Sequence, residues 1–181
     1  MPLILLDANV APEILRVIVS KSSPHDSAWW KCVDALIHGI TDAKVSVPPP
    51  VFFEMAMKDD EVFRAVESLL HTDPKPSPIL EYIGTPITST VMLDASKYVL
   101  ECHKRSGKQA KGENKLGISF VDAILAGYCL RHGHWIVTEN QKDFPDHFFE
   151  VVRMAVSPKK TSISERKVVY LLKPKKFESS R

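Results

Sequence analysis

Four carboxylates of this chain fall where a carboxylate is unexpected unless it has work to do. Asp7 ends the apolar run Leu3-Ile4-Leu5-Leu6, and Glu54 interrupts the stretch Val51 to Met57. Asp122 opens the apolar segment Phe120 to Leu130, and Asp143 follows shortly after Trp135-Ile136-Val137. Each has an ordinary explanation. Ser119-x-x-Asp122 fits a capping box, Asp7 or Asn9 can cap a following helix, Asp143 can open an Asx turn, and Glu54 can sit on one exposed helical face. Taken together they have a chemical one. Two unit charges about 4 Å apart at an effective dielectric of about 20 interact by about 4 kcal/mol, so four carboxylates around one pocket require cations or protons among them. Oxygen donors suit hard Mg²⁺ or Mn²⁺, and Mg²⁺ keeps several waters and completes its shell with phosphate oxygens. An ion so held polarises a phosphoryl oxygen and supplies hydroxide from a bound water, which is the chemistry of phosphodiester hydrolysis.

The elements that would position these acids follow from the apolar pattern. Leu3 to Leu6 reads as a strand buried on both faces, followed by a helix with Pro12 in its first turn, so Asp7 and Asn9 occupy a strand-to-helix junction. A helix from about Asp26 carries Trp29, Trp30, Val33, Leu36 and Ile37. Val45 and Val47 form a short strand stopped by Pro48-Pro49-Pro50, and Val51 to Met57 resumes as the helix bearing Glu54. Asp60 to Leu70 is expected to be helical, and Thr72 to Thr90, rich in proline, to be loop with a strand at Ile79 to Ile83. Met92 to Cys102 is expected to be a helix with Met92, Val99 and Cys102 on its apolar face and Tyr98 beside it. It runs into a basic loop from His103 to Gly117. Ser119 opens a strong helix closed at His132-Gly133; Trp135 to Val137, Phe148 to Val152 and Lys167 to Leu172 are further strands. Strands alternating with helices predict a three-layer α/β/α sandwich around a mostly parallel sheet. Ligands of such sheets bind beyond the carboxyl ends of the strands, which places Asp7 and the segment Thr138 to Asp143 on one edge.

Four segments in this order resemble the PIN domains. They are Leu5-Leu6-Asp7-Ala8-Asn9-Val10, the lone helical acid Glu54, Ser119-Phe120-Val121-Asp122-Ala123-Ile124-Leu125-Ala126, and Thr138-Glu139-Asn140-Gln141-Lys142-Asp143-Phe144. An aspartate ending a strand is common; the four segments in order, with matching strands and helices between them, are specific. The resemblance implies a metal-dependent nuclease, an endoribonuclease by the family's common practice, frequently a homodimer. In small bacterial and archaeal members it is often the VapC-type toxin of a toxin–antitoxin pair, so RNA as substrate and an antitoxin protein as partner are expected. On this basis Asp7, Asp122 and Asp143 are expected to hold Mg²⁺ or Mn²⁺, and Glu54 to be a further ligand or to orient the attacking water. Asn9, Ser119, Thr138 and Asn140 would position those acids or touch a phosphate. The chain departs from the compact toxins in its proline-rich excursion before Asp94 and its basic extension, which divides it into a nuclease domain over 1–156 and an extension over 157–181 with one added strand. A rival of another class is a PIN-like module that binds RNA or protein without cleaving. A haloacid-dehalogenase-like phosphohydrolase also uses an aspartate after its first strand, but its second aspartate is replaced here by Asn9.

Charge points the same way as the acids. From Ser157 to Arg181 there are eight bases and two acids, a net of +6, so a total of +2 leaves −4 for the rest of the chain. A basic segment on a mildly acidic body suits a polyanion, because each cation that neutralises a phosphate releases counterions, although it also serves as a solvated tail. Lys104, Arg105, Lys108, Lys111 and Lys115 are candidate contacts to a nucleic-acid backbone, weighed against a merely solvated loop. His132-Gly133-His134 reads as a helix end followed by a strand, not a zinc site, since no cysteine lies at ligand spacing. Cys32, Cys102 and Cys129 lack metal spacing and are expected in the core. The apolar start is too short for a signal segment and no stretch approaches a membrane span, so a cytoplasmic protein is expected.

Overall fold

The structure is a computed structural model that describes residues 3–19, 27–40, 44–58, 60, 64, 87–105, 118–158 and 167–176. Five strands form one sheet: β1 (Leu3–Leu6), β2 (Lys44–Ser46), β3 (Trp135–Thr138), β4 (Phe149–Val156) and β5 (Val168–Pro174). Their order is β2-β1-β3-β5-β4. β1 pairs in parallel with β2 and β3, whereas β5 is antiparallel to both β3 and β4, so four strands run one way and β5 runs against them. Five helices accompany the sheet: α1 (Ala11–Val19), α2 (Ala28–Ile37), α3 (Pro49–Lys58), α4 (Ser89–Arg105) and α5 (Phe120–His132).

The continuous apolar run of β1 is the reason it lies centrally. Ile4, Leu5 and Leu6 are all fully buried, which requires cover on both faces of the sheet. The pairing register identifies the two covers. Arg153 of β4, opposite Leu171, donates to the carbonyls of Leu36 and His38 at the end of α2. Phe149, opposite Pro174, sets its ring 6.3 Å from Tyr98 of α4. Leu171 and Pro174 are three apart on β5 and so project to opposite faces. Helices α1 and α2 pack together on one side, and α3 and α4 pack against α5 on the other, giving the expected α/β/α layering.

Local signals set most element boundaries. Ser27 caps α2 through the Trp30 N–H, and Gly133 closes α5 at φ 69°, donating its N–H to the Cys129 carbonyl at 2.9 Å. Pro49 and Pro50 stand inside the first turn of α3, where a missing N–H costs nothing. The strand expected in the 157–181 extension is β5, and its place is interior, hydrogen-bonded on both sides with Leu171 and Leu172 fully buried. β4 is the edge strand beyond it, with β2 at the other edge, and a register shift between Val151 and Arg153 bulges β4.

Helix α4 departs from expectation in two ways. Its buried stripe is Val91, Ala95, Tyr98 and Cys102, with Met92 outside it, so the apolar face lies one residue from where Met92 and Val99 placed it. The cause is a close helix crossing. A Cβ built on Gly127 of α5 would meet the Val91 carbonyl oxygen at 2.7 Å and the Ala95 nitrogen at 3.0 Å, so the smallest residues meet at the contact. Secondly, His103, Lys104 and Arg105 are not loop; they form the last turn of α4, where cations complement the carbonyl end of the helix dipole. α4 begins at Ser89, inside the stretch expected as loop. The strand at Ile79 to Ile83, most of the Asp60 to Leu70 helix and the segment 106–117 lie outside the described residues. Gly127→Ala is expected to force α4 and α5 apart and to cost about 1–3 kcal/mol. Chemical denaturation checks this, and an unchanged midpoint would show that the crossing is looser than the distances indicate. No helix among the described residues is long and apolar enough to cross a membrane.

Candidate active site

The parallel register of β1 and β3 brings the two strand ends side by side. Leu6 pairs with Val137, and the Asp7 N–H donates to the Val137 carbonyl at 3.1 Å, so Asp7 stands next to Thr138. Both side chains are buried. The Thr138 hydroxyl donates to Asp7 Oδ2 at 2.6 Å, Asn9 Nδ2 donates to the same oxygen at 2.6 Å, and the Ala8 N–H donates to Asp7 Oδ1 at 2.6 Å. The carboxylate is therefore held from three directions, and none of these donors is in the first turn of α1. Capping is not its role.

Asn9 also joins the two strand exits. Its Nδ2 lies 3.3 Å from Thr138 Oγ1, and its Oδ1 accepts from the Glu139 N–H at 3.0 Å. Thr138 Oγ1 in turn accepts the Asn140 N–H at 2.9 Å, and Asn140 Nδ2 donates to Asp143 Oδ2. Asp143 lies in the short 3₁₀ turn Gln141–Asp143 and is buried. Its backbone carbonyl accepts the Tyr98 hydroxyl, which ties α4 to this turn. One connected set of hydrogen bonds thus runs from Asn9 and Asp7 through Thr138 and Asn140 to Asp143.

Asp122 comes from a third direction, the first turn of α5. The Ser119 hydroxyl donates to Asp122 Oδ2 at 2.7 Å, the Ser119 N–H lies 3.3 Å from the same oxygen, and the Asp122 N–H returns to Ser119 Oγ at 3.0 Å. The capping box read from the sequence is therefore real, and it coexists with an electrostatic role. Burial, and after it the charge of Asp122, pushes the Asp7 carboxyl up from an ordinary 3.8 to about 7, against the three hydrogen bonds that favour its charged form. Burial and then Asp122 push Asp143 up to about 6, with Lys142 opposing. The charge of Asp122 thus bears on both Asp7 and Asp143. Glu54 stands half-buried on α3, which packs against α5, between the core residues Val51 and Met55 and the exposed Phe53 and Met57.

The donor set tests well in one respect and incompletely in another. Its side chains are oxygen donors, and two of its carboxyls have raised proton affinities, so the cluster is short of positive charge in the way a hard divalent cation corrects. Among the described residues, however, no group of three or more His, Cys, Asp or Glu is placed so that it could hold a metal ion.

The other expected residues divide. Lys104 and Arg105 end α4, with Lys104 2.6 Å from Glu101; Lys108, Lys111 and Lys115 lie outside the described residues. His132 and His134 stack with ring centroids 5.3 Å apart, and His134 Nδ1 accepts from the Leu3 N–H at 3.4 Å, at the end of the sheet opposite the acids. Burial, and then His132, lowers His134 to about 4, so it stays neutral as an acceptor. The three cysteines are free and buried. Sequence reasoning missed Tyr98 as a support of the Asp143 turn, and Glu139, which accepts the Ser157 hydroxyl at 2.6 Å. A tyrosine on the buried stripe of α4 was the available signal for the first, since its hydroxyl needs a partner.

No family model matches the chain, and no curated protein matches it. Among solved structures it is similar to a chain in the crystal structure of VapBC2 from Rickettsia felis bound to a DNA fragment from their promoter. That chain is 14% identical at a TM-score of 0.48, with the match covering 78% of the present chain and 90% of the other.

Proposed function

We propose that this chain is a PIN-type nuclease that hydrolyses phosphodiester bonds in RNA with Mg²⁺ or Mn²⁺. What supports this is the hydrogen-bonded chain from Asp7 through Thr138 and Asn140 to Asp143 beyond the carboxyl ends of β1 and β3, with Asp122 braced by Ser119 at the start of α5. In this reading the three aspartates hold the ion, with Glu54 as a further ligand or as the group that orients a water. The three do not stand as a preformed metal-holding group, and the reading has one or two of them seat the ion first, because Mg²⁺ retains waters and takes phosphate oxygens into its shell. When bound, the ion would polarise the phosphoryl group and lower the pKa of an attacking water. The chain's own groups do the positioning: Thr138 and Asn9 fix the plane of the Asp7 carboxylate, Asn140 fixes Asp143, and Ser119 fixes Asp122. From the resemblance we carry into the same proposal a homodimer and an antitoxin protein as partner.

The lack of a ready-made cage among the described residues favours a second reading, a PIN-like module that binds RNA or protein without cleaving it. Incubating the purified chain with labelled RNA or single-stranded DNA in Mg²⁺ or Mn²⁺ separates the two. Cleavage that chelator abolishes supports the nuclease. Binding with no cleavage in either ion establishes the module instead.

A further inference from the structure

One edge of the sheet carries apolar side chains that nothing covers. β4 ends the strand order, so among the described residues it has a neighbouring strand on one side only, β5. The pairing with β5 sorts its side chains. Val151, Met154 and Val156 stand opposite Leu172, Tyr170 and Val168 and so share the face of Phe149; Glu150 and Arg153, opposite Lys173 and Leu171, lie on the face toward α2. Phe149 is covered by Tyr98, but beyond it Val151 and Val152 are exposed, as are Met154 at 66% and Val156 at 59%. A row of exposed apolar side chains on an outermost strand marks an interaction surface.

The bulge decides what can pair there. Val151 pairs with Leu172 and Arg153 with Leu171, so Val152 is an additional residue and the alternation of faces changes phase at this point. A regular extended segment laid along β4 would match its faces on one side of Val152 and be out of step on the other, because a slip of one residue turns every side chain over. A second β4, antiparallel and related by a two-fold axis between Val151 and Val152, carries the same additional residue at the same place and stays in step throughout. Val151 then faces Val152 of the second copy, Phe149 faces Met154, and Glu150 faces Arg153, each contact occurring twice. Apolar residues meet on one face and opposite charges on the other. Glu150 is half-exposed beside Lys173 at 3.2 Å and Arg153 is exposed, so both charges are at the surface. The Val156 carbonyl takes the Cys32 thiol at 3.8 Å, so the pairing runs over Phe149 to Met154.

We infer that the chain pairs with a second copy of itself through β4, joining the two sheets into one continuous sheet across a two-fold axis. The inference rests on the homodimer in the proposed function, whose surface it names, and not on cleavage. Main-chain hydrogen bonds between the edge strands supply the attraction, while the bulge and the Glu150 and Arg153 charges fix the register.

The test is sedimentation velocity of the full chain over a range of concentrations. The wild-type chain is expected to show a monomer–dimer equilibrium. Met154→Lys is expected to weaken it by roughly 10-fold or more, since a charge enters the apolar face twice per dimer. Glu150→Arg and Arg153→Glu each set like charges opposite one another and are expected to weaken association by at least roughly 10-fold, whereas an equimolar mixture of the two regains opposite pairs and is expected to dimerise again. Should Arg153→Glu fail to fold, because Arg153 also holds the end of α2, hydrogen exchange of the wild-type chain decides together with Met154→Lys; the β4 amides are expected to gain protection as concentration rises. A dimer that all the variants leave intact, a mixture no tighter than its components, or β4 amides indifferent to concentration overturns the inference and leaves the homodimer to another surface. A wild-type chain that stays monomeric at every concentration overturns the homodimer and the inference together. The nuclease reading is decided separately, by the cleavage assay.

Discussion

Asp7→Asn is expected to reduce metal-dependent cleavage by more than the roughly 10- to 100-fold that loss of a group merely orienting a ligand costs, while the metal-free protein keeps or gains stability. Asparagine keeps one acceptor oxygen, which serves the Asn9 and Thr138 donors that share Oδ2, at the loss of the Ala8 bond to the other oxygen, so most of the junction between β1 and α1 survives the change. What is removed is a buried negative charge in repulsion with Asp122, together with a cation ligand. A residue serving only as a helix cap would behave otherwise, because asparagine caps about as well as aspartate and activity would be untouched. Cleavage rates and thermal unfolding of the same preparation, each with and without chelator, decide the matter. Full activity in Asp7→Asn removes Asp7 from the chemistry.

The second large effect is on stability against pH. Asp7 has a raised folded-state pKa of about 7 against an ordinary 3.8, so between those values the folded state binds the proton that the unfolded state has released. Its contribution is fully present below about pH 4 and is lost as pH rises through about 7, the reverse of an acid in a salt bridge. At about 1.4 kcal/mol for each tenfold change in proton affinity, the loss attributable to Asp7 is on the order of 4 kcal/mol. Asp143, raised for the same reasons to about 6, adds in the same direction. Thermal unfolding of the metal-free protein should therefore fall in midpoint from about pH 4 to pH 8. A divalent ion should reverse the loss at pH 8, since ligand at about 100 times its Kd stabilises by about 2.7 kcal/mol, roughly 5–10 °C for a domain of this size. A midpoint flat across this range, with no response to Mg²⁺ or Mn²⁺, would show that the carboxyls are neither repelling one another nor binding an ion.

Much of this site was legible because it is built from local rules. An apolar run stopped by a carboxylate marks the end of a buried strand, so Leu3 to Leu6 with Asp7, and Trp135 to Val137 with Thr138, could be placed on one edge before any contact was known. The supports could be named for the same reason: Asn9 and Asp7 are two residues apart, Asn140 and Asp143 three, and Ser119 and Asp122 three, distances a side chain spans within its own turn. The phase of α4 was misread because Met92 and Val99 look apolar alone, whereas the buried face was chosen by Gly127 on another helix. The loop assigned to His103, Lys104 and Arg105 failed because their charge suggests solvent, yet charge is also what the carbonyl end of a helix attracts.

The sequence by itself determined where the strands end, which residues cap and brace the acids, and that a hard cation would suit them, because each depends on residues a few positions apart. Only the tertiary structure decided that β5 enters the sheet between β3 and β4, that the Tyr98 hydroxyl holds the Asp143 turn, and that Asp122 acts on both Asp7 and Asp143. Those facts join groups tens of residues apart, and their energies come from burial and from charge across space, neither of which has a value until the chain has closed on itself.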